Sequence, residues 1–347
     1  MTRRGFSTLC LMSVALAVCA ADAATGALEN LVFSQYASPS SSAELLRRLV
    51  TPLNAWRLRE HAAAGHIDIT EQPVDLSRQR FAAYVPVHMP PQGYALLVFV
   101  PPWNEAKVPP GWAGVLERHG MILVTAAGIG NDANLLDRRD PVALLAATNM
   151  MARYRVDPSR VYIGGFSGGS RVALRLAVGY PDLFRGALLE AGSDALGDLV
   201  PLPPRALLEQ FQTRSRVVYL TGQQDTANQE ADRRSRSSLH DWCMENTDLR
   251  SIPWMGHDIA PPNALEGALA SLEAPRPPGD AQPTACRLRI TNELDKALED
   301  VATLIEAGDS AAATKQLDAL DHRYGGLAAP RSVELASRLQ RAAAPSH

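Results

Sequence analysis

The sequence has no excess of positive charge and, beyond its first residues, no long apolar run. Its 34 lysines and arginines are outnumbered by 37 aspartates and glutamates, for a formal charge of -3. No basic field is therefore available to attract phosphate backbones, and we expect no nucleic-acid partner. Beyond residue 23 no apolar stretch approaches the roughly 18 residues of a membrane helix, so we expect a soluble mature chain without stable membrane insertion. The hydrophobic content of 46% predicts a globular fold.

The first 23 residues have the pattern of a secretory signal peptide. A pair of arginines precedes an apolar run, residues 6–21, and residues 21–23 have the small-x-small form of a cleavage site. We expect cleavage after Ala23 and a secreted or periplasmic mature protein. Lipidation at Cys19 is the alternative, but the bulky Val18 precedes it where lipoprotein processing favours a small residue.

Cysteine is scarce, with four residues in 347, and two of the four lie in the predicted signal peptide. The other two are Cys243 and Cys286. In an oxidising compartment two remaining cysteines most simply pair, so we expect a disulfide that ties the end of the central region to the C-terminal segment. Two free buried thiols are the alternative.

Apolar segments typical of strands alternate with helical patterns over most of the chain. The predicted strands are residues 67–70, 81–87, 95–100, 121–125, 160–164, 186–190, 217–221 and 249–254. The predicted helices among and before them are residues 42–61, 111–118, 141–154, 168–180, 231–245 and 262–272. This alternation predicts an α/β fold, a mostly parallel sheet with helices on both faces. The first two strands are candidates for an antiparallel edge pair.

Composition divides the chain into further segments. We expect a loose leader and a helix over residues 24–65, then the α/β domain over residues 66–274. Residues 275–286 are rich in proline, which predicts a linker. Residues 287–347 show only helical spacing, too short for a repeat array. They predict a small C-terminal helical appendage that packs on the main domain or on another subunit.

One serine, Ser167, stands among glycines where a predicted strand gives way to a predicted helix. Residues 165–169, Gly-Phe-Ser-Gly-Gly, fit the G-x-S-x-G turn that presents a nucleophile above a sheet. Glycine is needed because a Cβ at either flank would clash in so sharp a turn. The free N–H groups that open the following helix suit a developing oxyanion. The alternative is a strand–turn–helix junction with an incidental serine.

A serine hydroxyl needs a base to take its proton and a carboxylate to orient that base. The carboxylate is expected on the turn after the predicted strand 217–221. Asp225 is the leading candidate there, since Glu230 and Asp232 lie where the next helix is expected to begin.

The base is expected on the loop after the last predicted strand, which reads Ser-Ile-Pro-Trp-Met-Gly-His and ends at His257. Two other histidines follow Asp225, but His240 lies in a helical pattern and His347 is the final residue. We therefore expect His257 to be the general base; the alternative is a loop histidine without a chemical role.

The oxyanion would need two N–H donors. Gly168 is expected to supply one from the serine side. The loop after the strand 95–100 would supply the other, but Pro101 and Pro102 have no N–H. Trp103 is the first available donor on that loop and Asn104 the next; alternatively Trp103 is only an aromatic lid.

With these residues placed, the chain resembles the α/β-hydrolase superfamily, and within it the secreted esterases related to polyhydroxybutyrate depolymerases and feruloyl esterases. The likeness covers about residues 80–272 and is most specific over residues 156–184. The resemblance implies acyl-serine chemistry without cofactor or metal, with Ser167, Asp225 and His257 as the triad. One departure is that those esterases usually carry a His-Gly pair where this chain has its two prolines, so the donors of that loop and the accepted substrate are expected to differ.

The leading hypothesis is a secreted serine hydrolase acting on a small-molecule or polymeric carboxylic ester. A serine peptidase on the same fold is the second hypothesis, because a doubled glycine after Ser167 occurs in that branch as well. The third is a non-catalytic hydrolase-fold binding protein that uses its helical tail as a contact surface. An aryl ester, a short polyester and an acetylated sugar stay open, because the loops 101–112, 128–140 and 192–204 would shape the pocket. The sequence does not indicate an oligomeric state.

Overall fold

A computed structural model describes residues 24–275 and 282–343 of the chain. The predicted signal peptide, residues 1–23, lies outside the described residues, as does His347. The strands are β1 (Gly26–Leu31), β2 (Phe81–Val85), β3 (Tyr94–Val100), β4 (Met121–Ala126), β5 (Val156–Phe166), β6 (Gly186–Glu190), β7 (Arg216–Gly222) and β8 (Thr247–Ile252). They form one eight-stranded sheet in the order β1-β2-β4-β3-β5-β6-β7-β8.

The sheet is parallel except at one edge. β1 pairs antiparallel with β2, and β2 pairs antiparallel with β4. Every other neighbouring pair in the sheet is parallel. β3, β4 and β6 are buried at every residue, as expected for parallel strands covered on both faces. The predicted α/β class with a mostly parallel sheet is therefore confirmed.

Helices cover both faces of this sheet. They are α1 (Ser42–Leu49), α2 (Pro52–Ala63), α3 (Ala113–His119), α4 (Asp140–Arg153), α5 (Gly168–Gly179), α6 (Arg205–Arg214), α7 (Thr226–Asp241), α8 (Pro262–Glu273), α9 (Gln282–Glu306), α10 (Ser310–Tyr324) and α11 (Arg331–Ala343). Successive side chains of β3 enter different cores, because a strand points them to alternate faces. Leu96 and Val98 join the core with α4 and α5, whereas Leu97 and Phe99 join the core with α3 and α8.

The prediction for the antiparallel edge was wrong. Residues 67–70 form no strand, and the partner of β2 is β1, within the segment that was expected to be a loose leader. β1 reads Gly-Ala-Leu-Glu-Asn-Leu, whose residues are mostly weak strand formers, so its sequence resembles a loop. Tertiary contact compensates: the ring of Phe33, just beyond β1, lies 4.6 Å from the ring of Phe81, centroid to centroid.

The helices differ from the prediction in three main respects. The single helix expected over residues 42–61 is two helices, because Pro52 lacks an N–H and occupies the first turn of α2. α6 was not predicted; it is short and largely polar, and it comes after a run of prolines. α7 begins at Thr226 rather than at residue 231, because the Asp225 side chain caps it.

The C-terminal helices predicted from the sequence are present and pack on the main body. The Leu53 amide donates a 3.0 Å hydrogen bond to the Asp321 carboxylate. The Tyr324 ring meets the Trp242 ring edge-on, with centroids 5.7 Å apart. α9 begins at Gln282, inside the segment 275–286 that was expected to be a linker. Within the two described ranges, no helix is both long and apolar enough to cross a membrane.

A disulfide joins Cys243, just beyond α7, to Cys286 on α9, across 43 residues of sequence. It ties the C-terminal helices to the sheet domain, as the cysteine count predicted. Closing a loop of this length restricts the unfolded chain, which corresponds to about 4 kcal/mol of stability.

Replacing both cysteines with alanine should therefore lower the free energy of unfolding by about 4 kcal/mol. Urea unfolding of the parent and of the Cys243→Ala/Cys286→Ala variant measures this difference. The parent under reducing conditions should match the variant, and the variant itself should not respond to reductant. Equal urea midpoints for oxidised parent and variant would contradict a stabilising crosslink.

Candidate active site

The junction between β5 and α5 holds Ser167 in a strained conformation. β5 ends at Phe166 and α5 begins at Gly168, so a single residue makes the turn. Its backbone has φ 54° and ψ -121°, a region that side-chain-bearing residues rarely adopt. The Ser167 amide is held by a 2.8 Å hydrogen bond to the carbonyl of Glu190, at the end of β6. The turn therefore presents the hydroxyl at the carboxyl edge of the sheet.

The flanking glycines are required by close backbone approach. A Cβ on Gly169 would overlap the carbonyl group of Val100, and a Cβ on Gly165 would overlap the backbone of Gly169. Neither neighbour can yield, because the atoms concerned are backbone atoms of β3 and of α5. The glycine spacing seen in the sequence thus has a steric cause.

The structure brings Ser167, His257 and Asp225 together from three separate loops. His257 Nε2 lies 3.0 Å from Ser167 Oγ, and His257 Nδ1 lies 2.6 Å from Asp225 Oδ2. The Asp225 side chain is 7% exposed and the imidazole 44% exposed, so the carboxylate is screened while the ring reaches solvent. If Nδ1–H donates to Asp225, Nε2 is free to accept the serine proton, the arrangement that general-base catalysis requires.

Two neighbours that were not predicted from the sequence support this arrangement. Asn228 Nδ2 lies 3.0 and 2.9 Å from the two Asp225 oxygens and donates to this carboxylate. The Phe166 ring lies 4.9 Å from the His257 ring, centroid to centroid, and supports the imidazole from below. Asn228 could have been found from the sequence, because it stands three residues after Asp225, which caps α7. Nothing in the sequence distinguishes Phe166 except its position beside Ser167.

The other acids and histidines that were considered lie elsewhere. Asp232 is buried and accepts 2.6 Å hydrogen bonds from Ser193 and Thr221, and its burial raises its pKa. Glu230 is half-buried and His240 is exposed, and each pairs with a charged residue close to it in sequence. The structure brings none of these side chains to the Ser167 hydroxyl.

The two predicted oxyanion donors have different surroundings. Gly168 is next to Ser167 at the start of α5 and lines the adjacent cavity. The Trp103 ring instead packs 6.3 Å from the Phe166 ring, with the Lys107 ammonium 5.3 Å above it. The carbonyl of Pro102 accepts a 3.0 Å hydrogen bond from the Asn131 amide, which anchors the proline loop. A role for the Trp103 N–H remains a prediction.

A cavity of about 520 Å³ opens beside the Ser167 hydroxyl. Its walls are residues 131–139, the first two turns of α5, residues 194–200 and the side chains of Asn228 and His257. Two of the three loops expected to shape the pocket therefore do so, whereas the loop 101–112 contributes no lining residue among those described. In the same described part of the chain, no cluster of three His, Cys, Asp or Glu side chains could hold a metal ion.

Glu190 lies directly beneath the site and is completely buried. Its carbonyl holds the Ser167 amide, and its Oε2 accepts a 3.1 Å hydrogen bond from the amide of Ala260, on the loop that carries His257. Burial raises the pKa of this carboxyl to about 8, an effect that the Ala260 hydrogen bond only partly opposes. The raised pKa favours the protonated form of Glu190 at neutral pH, and the residue links the Ser167 turn to the loop that carries His257.

Glu190 should make the protein less stable as pH rises from 4.5, its ordinary pKa, to about 8. In this window the unfolded chain has lost a proton that the folded chain keeps, so the free energy of unfolding falls with pH. Glu190→Gln removes the titration, and its stability relative to the parent should rise by about 1.4 kcal/mol per pH unit across the window. Urea unfolding of both proteins across this window measures the effect. A constant difference between the two would contradict the buried neutral carboxyl.

Comparison with known proteins gives one short sequence match and many similar folds. No protein-family model matches the chain. A poly(3-hydroxyalkanoate) depolymerase C from Paucimonas lemoignei is 48% identical over 44 residues, which span 13% of this chain and 11% of the depolymerase. The chain thus matches only about a tenth of that relative's length.

The sheet order, the antiparallel β2 and the strained serine turn after β5 define the α/β-hydrolase fold.

Solved structures similar to the chain include a ferulic acid esterase (14% identity, TM-score 0.41, covering 55% of this chain and 88% of that one). A poly(3-hydroxybutyrate) depolymerase, LpqC from Bordetella parapertussis, has 17% identity and a TM-score of 0.41, covering 60% and 88% of the two chains. A dipeptidyl peptidase 4 from Porphyromonas gingivalis has 15% identity and a TM-score of 0.39, covering 52% and 30%.

Proposed function

We propose that the protein is a secreted serine hydrolase that cleaves carboxylic esters through an acyl-serine intermediate. The observation that carries the proposal is the continuous contact from Asp225 through His257 to Ser167, at 2.6 and 3.0 Å, beside an open cavity. Ser167 is the nucleophile, His257 the general base and Asp225 the group that orients the imidazole and stabilises its charged form.

The reaction proceeds in two acyl transfers. Ser167 Oγ attacks the ester carbonyl while its proton passes to His257 Nε2. The oxyanion then faces the N–H groups that open α5, Gly168 among them, and Trp103 is the proposed second donor. Collapse of this intermediate breaks the ester C–O bond, and the imidazolium returns the proton to the departing alcohol. A water molecule then attacks the acyl-serine carbonyl while its proton passes to His257. As the bond between the acyl carbon and Ser167 Oγ breaks, the imidazolium returns this proton to Oγ, which releases the carboxylic acid and regenerates Ser167.

Export and domain roles form part of the proposal. The arginine pair and apolar run within residues 1–23 and the Cys243–Cys286 disulfide both suit an oxidising compartment. The reaction is assigned to the sheet domain, residues 66–274, because that segment contains the three proposed catalytic side chains. The helical region, residues 287–347, is assigned a packing role.

The test is a rate comparison on matched esters and amides, using the purified chain from residue 24. We expect hydrolysis of 4-nitrophenyl acetate and butyrate, and negligible hydrolysis of the corresponding 4-nitroanilides and of dipeptidyl 4-nitroanilides. His257→Ala should eliminate the ester activity. Faster turnover of the dipeptidyl amides would establish the peptidase alternative, and inertness toward every ester and amide would favour a binding protein.

A further inference from the structure

The cavity beside Ser167 carries more positive than negative charge. Arg139, Arg171 and Arg175 line it, whereas Asp194 is the one acidic side chain among its described lining residues. Arg175 is already neutralised, because its Nε lies 3.1 Å from the buried carboxylate of Asp140. Of the other two arginines, Arg171 lies near Asp194, whereas Arg139 has Asp140 and Asp132 only at longer range and forms no direct ion pair within the described residues.

Arg139 is a buried cation that forms no ion pair within residues 24–275 and 282–343. It is 5% exposed, and its hydrogen bonds within the described chain go only to neutral oxygens. Nε donates to the Ile129 carbonyl at 3.0 Å, and Nη2 donates to the Pro101 carbonyl at 3.3 Å and to Asn131 Oδ1 at 3.5 Å. Nη1 donates to no described residue. Asp140 and Asp132 act on this guanidinium only at longer range. Since buried charges in proteins are normally paired directly, a ligand carboxylate can form the ion pair with Arg139 that these two residues do not form.

Arg171 stands one turn along α5 from the nucleophile. Four residues of helix separate it from Ser167, which corresponds to roughly 6 Å along the axis. Its side chain is 49% exposed, and its Nε lies 3.6 Å from Asp194 Oδ1, too far for a hydrogen bond. Burial raises the pKa of Asp194, an effect that the charge of Arg171 opposes. Arg171 can therefore accept a second carboxylate.

Part of the cavity wall is apolar, and Asn131 and Asn228 add polar groups beside it. Leu135, Val172, Leu199 and Val200 form the apolar part, and Leu199 is 66% exposed. A small inorganic anion would gain nothing from these four side chains, whereas an aliphatic chain would bury its methylene groups against them. The cavity thus combines a nucleophile, an apolar wall and a cationic group within a short distance.

On the basis of the proposed ester hydrolysis, we infer that the substrate is an ester whose acyl chain ends in a free carboxylate, as in a half-ester of an aliphatic dicarboxylic acid. Ser167 Oγ attacks the ester carbonyl, and the acyl chain packs against the apolar part of the wall. Arg171 and Arg139 bind the terminal carboxylate. The two acyl transfers through Ser167 are unchanged, and the terminal carboxylate stays ionised and intact throughout.

Matched charged and neutral esters test this inference. The 4-nitrophenyl half-esters of succinic, glutaric and adipic acid are compared with the same compounds carrying a methyl ester at the far end. For at least one chain length, kcat/KM of the charged ester should exceed that of its neutral partner by about tenfold, the effect of one charge-assisted hydrogen bond. Added salt should reduce this ratio.

Two substitutions with opposite expected effects on the charged-to-neutral ratio test which residues bind the carboxylate. Arg171→Gln should lower the charged-to-neutral ratio by about tenfold, and Asp194→Asn should raise it, because the competing carboxylate is removed. Arg338→Gln, on the remote helix α11, is the matched arginine control and should leave the ratio at the parental value. A ratio near one in the parent that neither cavity variant alters would overturn the inference.

A binding measurement keeps this inference separate from the proposed function. Titration calorimetry of Ser167→Ala with monomethyl glutarate should show saturable binding that Arg171→Gln, added to the same protein, removes. No hydrolysis of any ester, charged or neutral, would refute the esterase proposal, and the calorimetry would still decide whether the cavity binds carboxylates. Absence of binding together with normal hydrolysis of neutral esters would refute only the substrate assignment.

Discussion

Ser167→Ala is expected to lower kcat on 4-nitrophenyl esters by roughly 10⁴- to 10⁶-fold, the loss expected when a serine nucleophile is removed from a triad. The reason is geometric as well as chemical. Ser167 Oγ lies 3.0 Å from the base, at a turn whose strained backbone holds it there. Alanine keeps the backbone but leaves His257 with no oxygen to deprotonate at that place. Steady-state hydrolysis, corrected for the rate in buffer, gives the measurement.

The matched control for this variant is Ser237→Ala, at an exposed position on α7. It should retain parental kcat, and both variants should unfold at the parental temperature within a few degrees. If Ser167→Ala kept activity within a few-fold of the parent, the nucleophile would have to be another residue and the proposed mechanism would be wrong.

Asp225→Asn should lower kcat by about 10⁴-fold with little change in the fold. The carboxylate accepts from His257 Nδ1 at 2.6 Å and thereby favours the ring form whose Nε2 can take a proton. An amide at this position can donate to Nδ1 instead, which would place the ring proton on Nε2, facing the serine. The base would then be in the wrong tautomer, although all three side chains were still in place.

Asp232→Asn provides the comparison for Asp225→Asn, because the two acids lie on or beside the same helix and the sequence alone left both possible. Asp232 accepts hydrogen bonds from Ser193 and Thr221 rather than from the imidazole. Its replacement should lower the unfolding temperature, since the amide retains only one acceptor oxygen, and should leave kcat within a few-fold of the parent. A larger loss of kcat for Asp232→Asn than for Asp225→Asn would reassign the acid.

Ser167, Asp225 and His257 could be selected from the sequence because the structure around each of them requires particular neighbouring residues. A nucleophile turn needs glycines at fixed spacing, and the overlap that a Cβ on Gly169 would make with Val100 shows why. Asp225 and His257 each come after a strand that is recognisable from its apolar residues. Parallel strands deliver their carboxyl ends to one edge, so residues distant in sequence are expected to meet there.

The parts that the sequence did not predict depend on tertiary contacts. β1 is made of weak strand formers and is held by its pairing with β2 and by Phe33. The cationic cavity combines Arg139, which ends a helical turn before α4, with Arg171 on α5. Nothing in local spacing relates two such residues, because the relation arises only when the loop 128–140 folds over the start of α5.

The central claim is that Ser167 alone among the serines is activated, and labelling with a fluorophosphonate probe tests it most directly. Such a probe reacts with a serine only where a base removes the hydroxyl proton. The mature protein should take up one equivalent, and peptide mapping by mass spectrometry should place the phosphonyl group on residue 167, with no uptake by His257→Ala. Folded protein that stays unlabelled, or a label mapped to any other residue, would contradict the account.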